Sequence, residues 1–170
     1  RTLRDFSDGI AVVGLKHANP CAVAQAPTVK EAWEKAYAAD PKSIFGGIVA
    51  INAKVEADAA ALMAEIFLEI IVAPDYTDEA LEILRKKKNL RVLRLPTIND
   101  APEKAMEVKS VQGGLLVQDV DTALMEGELK VATDRAPTEK EMEDLLFAWK
   151  VCKHLKSNAI AIAKDGATLG

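Results

Sequence analysis

Histidine and cysteine are scarce in this sequence, with two of each among 170 residues, and aromatic side chains make up only 5%. Cys21 and Cys152 lie far apart, and a single pair without a secretory leader is weak ground for a disulfide, so both are expected to be free thiols. The same scarcity leaves little material for a metal centre. A zinc deaminase needs a Cys-x-x-Cys pair, but Cys21 is followed by Ala22, Val23 and Ala24, so no catalytic metal is expected. No apolar run approaches the ~20 residues of a membrane span. Positive charge is not in excess either. The 22 basic and 26 acidic residues give a net charge of −4, which argues against a general nucleic-acid partner while leaving an anionic small molecule open. An initiator Met and a leader pattern are both missing from Arg1 to Asp8, and Ala167 to Gly170 reads as the start of a strand; the chain is therefore expected to come from a longer protein.

What is present is enough for a core. Hydrophobic residues make up 49%, and a chain of this length buries roughly two-thirds of its unfolded surface without help from metal or disulfide. Short apolar runs predict strands at Ile10 to Leu15, Ile48 to Ile51, Ile70 to Ala73, Leu90 to Leu95, Leu115 to Gln118 and Ala159 to Ala163. Helices are predicted from Val29 to Ala39 behind Thr28, from Ala57 to Phe67, from Asp78 to Lys88 behind Thr77, and from the Thr138 capping box to Leu155. The last helix is expected to place Met142, Leu145, Leu146, Trp149 and Cys152 on one apolar side. Residues 96 to 110 read as a connection, 119 to 133 as irregular, and Asp165-Gly166 as a hairpin turn. Strands alternating with helices, closed by a hairpin, predict an α/β fold: a layered mixed sheet with helices on its faces.

Lys16, His17, Asn19 and Cys21 follow the first strand, where α/β proteins place their sites. The Lys16-His17 pair offers a cation and a general base, and the Asn19-Pro20 turn is expected to bring both side chains toward one pocket. The competing reading is a solvated lysine and a histidine on a backbone carbonyl. His154, between Lys153 and Lys156 near a helix end, reads as a surface or dipole residue. Gly46-Gly47 and Gly113-Gly114 allow close backbone approach or simply mark turns. Ser157-Asn158 offers amide hydrogen bonds or a cap. Glu69, between Leu68 and Ile70, reads equally as a ligand for an amine or as a carboxylate at a strand mouth in water.

Six blocks then carry a resemblance: Lys16-His17-Ala18-Asn19-Pro20-Cys21, Ser43-Ile44-Phe45-Gly46-Gly47, Glu69-Ile70-Ile71-Val72-Ala73-Pro74, Gly113 to Asp119, Lys156-Ser157-Asn158-Ala159-Ile160 and Ala163-Lys164-Asp165-Gly166. In this order they resemble the AICAR transformylase region of the bifunctional purine-biosynthesis enzymes. The resemblance implies formyl transfer from 10-formyltetrahydrofolate to the 5-amino group of AICAR, giving FAICAR, with a separate domain acting as IMP cyclohydrolase. It also implies a cytidine-deaminase-like fold, with residues 1–98 as a first subdomain and 99–170 as a connection and incomplete second part. A cytoplasmic homodimer is implied, with sites at the subunit interface. By position, His17 resembles the general base and Lys16 its partner at the formyl centre. Phe45, Gly46, Glu69 and Asn158 resemble residues that hold the nucleotide base, with Asn19 beside them. A potassium ion near Ser157 is compatible with the resemblance.

Three departures qualify it. Ala22 stands where the family usually has Gly, so a different loop backbone is expected. The Gly-Ile-Gly-x-Gly-Gln-x-x-Arg stretch is absent after Gly170, and so is the cyclohydrolase domain. Because those parts supply phosphate- and folate-binding groups, the polypeptide alone is expected to be inactive or nearly so. The alternative is a non-catalytic α/β domain that binds a nucleotide or dimerises.

Overall fold

The computed structural model describes residues 1–100 and 106–169. A 3₁₀ turn at Thr2–Phe6 leads into strands β1 (Ile10–Leu15) and β2 (Pro20–Ala26), helix α1 (Val29–Ala39), the one-turn helix α2 (Pro41–Ile44) and β3 (Ile48–Ile51). Helix α3 (Ala57–Glu65), β4 (Ile70–Ala73), α4 (Asp78–Arg85) and β5 (Arg91–Arg94) follow. A second 3₁₀ turn, Pro96–Asn99, precedes the hairpin of β6 (Met106–Val111) and β7 (Gly114–Asp119); helix α5 (Glu139–Cys152) and the short strands β8 (Ala163–Lys164) and β9 (Ala167–Thr168) complete the chain.

Seven strands form one mixed sheet in the order β5-β4-β3-β1-β2-β9-β8. The strands β3, β4 and β5 run parallel, while β1 is antiparallel to both β2 and β3. Alternation along each strand feeds two cores. Val12, Ala22, Ala24, Val49, Ile51, Ile71 and Ala73 face α1, α3 and α4, meeting Trp33, Ala60, Met63 and Leu84. Ala11, Val13 and Val23 face the other way, onto Phe6, Phe147 and Val151. The α/β mixed sheet expected from the sequence is therefore present. Among the described residues, no helix is long and apolar enough to cross a membrane.

Local signals set the element ends. The Thr28, Thr77 and Thr138 hydroxyls accept hydrogen bonds from the backbone N–H groups of Glu31, Ala80 and Glu141, and the Thr138 backbone N–H in turn donates to the Glu141 carboxylate, closing the capping box. Asp165 (φ 53) and Gly166 (φ 69) both adopt positive φ, as a tight hairpin turn of the favoured hand requires.

Four expectations are corrected. Residues 106–110 of the expected connection, together with Val111, form β6, paired with β7 from Met106↔Asp119 to Val111↔Gly114; residues 101–105 lie outside the described residues. The strand expected at Ala159 to Ala163 shrinks to Ala163–Lys164, because only that end pairs with β9. The buried side of α5 carries Phe147 and Val151, while Leu145 and Trp149 are exposed. From Leu145 to Cys152 every residue of α5 but Lys150 is apolar, and the Phe6 ring, 5.1 Å from that of Phe147, selects the face. Ala22 lies in extended β2 opposite Gly14, fully buried, so no glycine-type backbone angle is needed there.

Tyr76 ties the parallel strands together. Its buried hydroxyl lies 3.1 Å from the Ile71 carbonyl and 3.0 Å from that of Leu93, donating to these two oxygens on neighbouring strands. Burial raises the Tyr76 phenol well above its ordinary value of 10.0. An unfolded chain ionises this phenol first, so the stability tied to Tyr76 is intact below pH 10.0 and falls as pH rises above it. Tyr76→Phe should cost about 1 kcal/mol near neutral pH and flatten the alkaline loss, as read from urea midpoints measured at neutral pH and at alkaline pH.

Candidate functional site

The Lys16-to-Asn19 segment is the four-residue loop of the β1–β2 hairpin, closed by the Lys16 N–H donating to the Asn19 carbonyl at 3.0 Å. Because β1 is antiparallel to β3, this loop does not lie over the carboxyl ends of the parallel strands. It stands at their amino ends, beside the turns that lead into β3 and β4. Leu15 pairs with Ile48, so Lys16 extends onto the segment Phe45-Gly46-Gly47.

There the half-buried Lys16 ammonium donates to the carbonyl oxygens of Phe45 (2.8 Å) and Gly46 (2.9 Å). An ammonium carries three N–H donors, so two are engaged and one is left to offer. Both glycines are dictated by space. Gly47 has backbone oxygens of Ile44 and Leu15 2.8 Å from where a Cβ would sit, so any larger residue would force the turn off β1. Gly46 has φ +64, and a Cβ there would lie 2.9 Å from the Lys16 Nζ. The Gly46 N–H donates to the Phe67 carbonyl at 2.8 Å, and the Glu69 N–H to the Gly47 carbonyl at 3.0 Å, which fastens the turn to the start of β4.

The residues expected at the site are brought together unevenly. Lys16, Phe45 and Gly46 touch, and Asn19 joins through its backbone. His17 is exposed on the same loop, and among the described residues its ring makes no hydrogen bond. Glu69 stands at the mouth of β4, exposed, 3.0 Å from Arg91 across the parallel pair. Asn158 is exposed beyond α5, and no hydrogen bond joins it to the hairpin loop among the described residues. Cys21 sits behind the loop as a free thiol, and burial pushes its pKa up, so it is poorly suited to act as a nucleophile. Phe67 was not expected: its ring centroid lies 5.6 Å from that of Phe45. A lone Phe at the end of an Ala-rich run carries no sequence signal for this role.

His154 corrects a further expectation. Rather than lying on the surface, it is largely buried, with Nε2 2.6 Å from the Asp5 carboxylate, which Lys153 also approaches at 3.3 Å. Burial lowers the His154 pKa against the opposing pull of Asp5. Lys153 already balances Asp5, so a neutral imidazole donating one hydrogen bond suffices to pin the first turn to the end of α5.

The family model for the AICARFT/IMPCHase bienzyme matches residues 1–170. The chain belongs to the AICARFT/IMPCHase bienzyme family. It is 57% identical over 169 residues to the bifunctional purine biosynthesis protein PurH of Thermoanaerobacter sp. (strain X514), covering 99% of this chain and 32% of that protein. It is 52% identical over 168 residues to PurH of Caldicellulosiruptor bescii, again 99% and 32%, and 52% identical over 170 residues to PurH of Aquifex aeolicus, 100% and 33%. This member of the bienzyme family thus spans about a third of the length of these relatives.

Gly46→Ala should destabilise the chain by roughly 1–2 kcal/mol through the left-handed backbone alone, with a further cost from displacing the ammonium. Lys16→Met, which keeps the stem and frees the two carbonyls, should cost about 1 kcal/mol. In the double variant the displacement cost disappears, so a denaturation cycle should show a coupling of about 0.5 kcal/mol or more. Strict additivity would mean that Lys16 does not occupy the space beside Gly46.

Proposed function

We propose that this chain carries the formyl-transfer centre of a bifunctional purine-biosynthesis enzyme, moving the formyl group of 10-formyltetrahydrofolate onto the 5-amino group of AICAR to give FAICAR. The observation that carries this reading is the Lys16 ammonium, fixed on the Phe45 and Gly46 carbonyls, with the exposed His17 as the next residue of the same loop. Such a pair suits acyl transfer to a weak nucleophile. An aromatic amine conjugated to a carboxamide attacks poorly unless its proton leaves as the bond forms.

On this reading the amine nitrogen bonds to the formyl carbon, the carbonyl π pair moves to oxygen, and His17 takes the proton. The remaining Lys16 N–H stabilises the oxyanion. When the intermediate collapses, the carbon–nitrogen bond to the folate breaks, and His17 returns its proton to the departing nitrogen. Phe45, Gly46 and Asn19 border the reacting amine. Glu69 and Asn158 complete the nucleotide subsite, with Glu69 giving up Arg91 in favour of a ligand amine. The working protein is a cytoplasmic homodimer whose further chain supplies anion-binding groups and the cyclohydrolase activity.

A second reading, a non-catalytic module that pairs with further protein, has one observation of its own. Met106, Val108, Leu115 and Val117 line one face of the β6–β7 hairpin, and all four are exposed.

Replacing the matching third of the Thermoanaerobacter protein with this chain, and following release of tetrahydrofolate by absorbance, tests the first reading. The chimera should transfer formyl groups, and His17→Ala in it should lower kcat about 10²–10⁴-fold. Near-normal turnover of that variant would remove His17 as the base. Loss of transfer from the unmutated chimera, with cyclohydrolase activity intact, would favour the second reading.

A further inference from the structure

Phe45 and Phe67 are 58% and 42% exposed although both side chains are large and apolar. Their rings tilt at 56° with centroids 5.6 Å apart, and their exposure leaves aromatic surface available to a third ring. Phe67 belongs to neither buried core. Its backbone carbonyl, not its ring, holds Gly46, so the fold needs no aromatic side chain at this position. Its ring nonetheless lies against the Gly46 turn, with ring atoms 3.4 and 3.5 Å from where a Cβ would sit, on the same turn that holds the Lys16 ammonium. Phe67 also borders an open cleft of about 220 Å³ shared with Leu68, Lys87 and Asn89, so its surroundings are reachable from solvent.

We propose that Phe67 is a substrate-binding residue, forming with Phe45 an aromatic shelf that receives a planar conjugated heterocycle and presents its polar edge to the free N–H of Lys16. This rests on the loop of Lys16 and His17 being the reacting centre. Both reactants of the proposed transfer carry such a ring, the aminoimidazole carboxamide and the pterin, and the shelf's chemistry suits either. A flat ring stacks on a phenyl face whatever its substituents, while the ammonium beside the shelf selects a ring bearing a carbonyl or carboxamide oxygen.

The test is NMR on the 170-residue chain with 13C-labelled phenylalanine, titrated separately with AICAR and with 6-methylpterin. One of the two should show upfield-shifted ring protons and contacts to the Phe67 and Phe45 rings, and which one does so identifies the reactant. Phe67→Ala should weaken that binding about ten-fold, Phe67→Leu should resemble Ala, and Phe67→Tyr should restore it. If Leu restores binding as well as Tyr does, or if neither probe contacts the rings, the shelf is overturned. Ring contact in the chain without formyl transfer in the chimera would overturn the functional reading and leave the shelf standing. Formyl transfer in a chimera whose Phe67→Ala variant keeps an unchanged KM for both substrates would do the reverse.

Discussion

The geometry at the end of β1 depends on one ammonium group lying between two backbone carbonyls. The oxygens of Phe45 and Gly46 converge on a single point, an arrangement that repels itself unless a cation stands there, and Lys16 supplies it. The turn can adopt this form only because Gly46 takes a left-handed backbone and Gly47 lies against the Leu15 and Ile44 oxygens with no room for a side chain. The same lysine therefore shapes the turn and keeps one N–H that can reach outward. Structural and chemical roles are joined in it, so a substitution read by activity alone confounds the two.

The sheet's mixed topology explains why this point is accessible. In an all-parallel arrangement the turns before β3 and β4 would lie at the end opposite to a strand's outgoing loop. Inverting β1 brings its outgoing loop, with Lys16 and His17, to the turns carrying Phe45, Gly46, Phe67 and Glu69. Helices α1, α3 and α4 bury one face of the sheet, while α5 covers the other only over the Ala11, Val13 and Val23 side. The loop end is thus held by two cores without being roofed by either.

Much of this was legible in the sequence because local rules dominated. Threonine caps, apolar runs of four to six residues bounded by Gly or Pro, and the Asp165-Gly166 turn each have a short-range cause, and these elements formed where the pattern placed them. Strand β2 was not legible: Ala22, Ala24 and Ala26 are helix formers, and only pairing with β1 and the covering of Ala22 and Ala24 by the helical layer make the segment extended. The buried face of α5 was not legible for a related reason, since its second half is apolar at every position but Lys150 and Phe6, distant in sequence, decides which residues are buried. At the site, the motif pointed to Lys16, Phe45 and Gly46, which meet. It gave no hint of Phe67, which joins through a carbonyl and a ring from the far side of α3.

The charge distribution around the loop bears on what else the proposed chemistry requires. Lys16 is committed to two carbonyls, and the nearby Arg91 already faces Glu69. A nucleotide phosphate and a folate carboxylate each call for cations in fixed positions, because a bidentate or clustered contact is what holds an anion against water. Lys87 and Lys88 stand by the cleft at Phe67, but they are long, flexible and set in a turn. On the proposed reading, the chain's own contribution is then the reacting centre and the ring shelf, while firm anion binding comes from further protein. The exposed apolar face of the β6–β7 hairpin, with Met106, Val108, Leu115 and Val117 on one side, is a physically reasonable place for such protein to rest, since a two-stranded ribbon gains stability by covering that face.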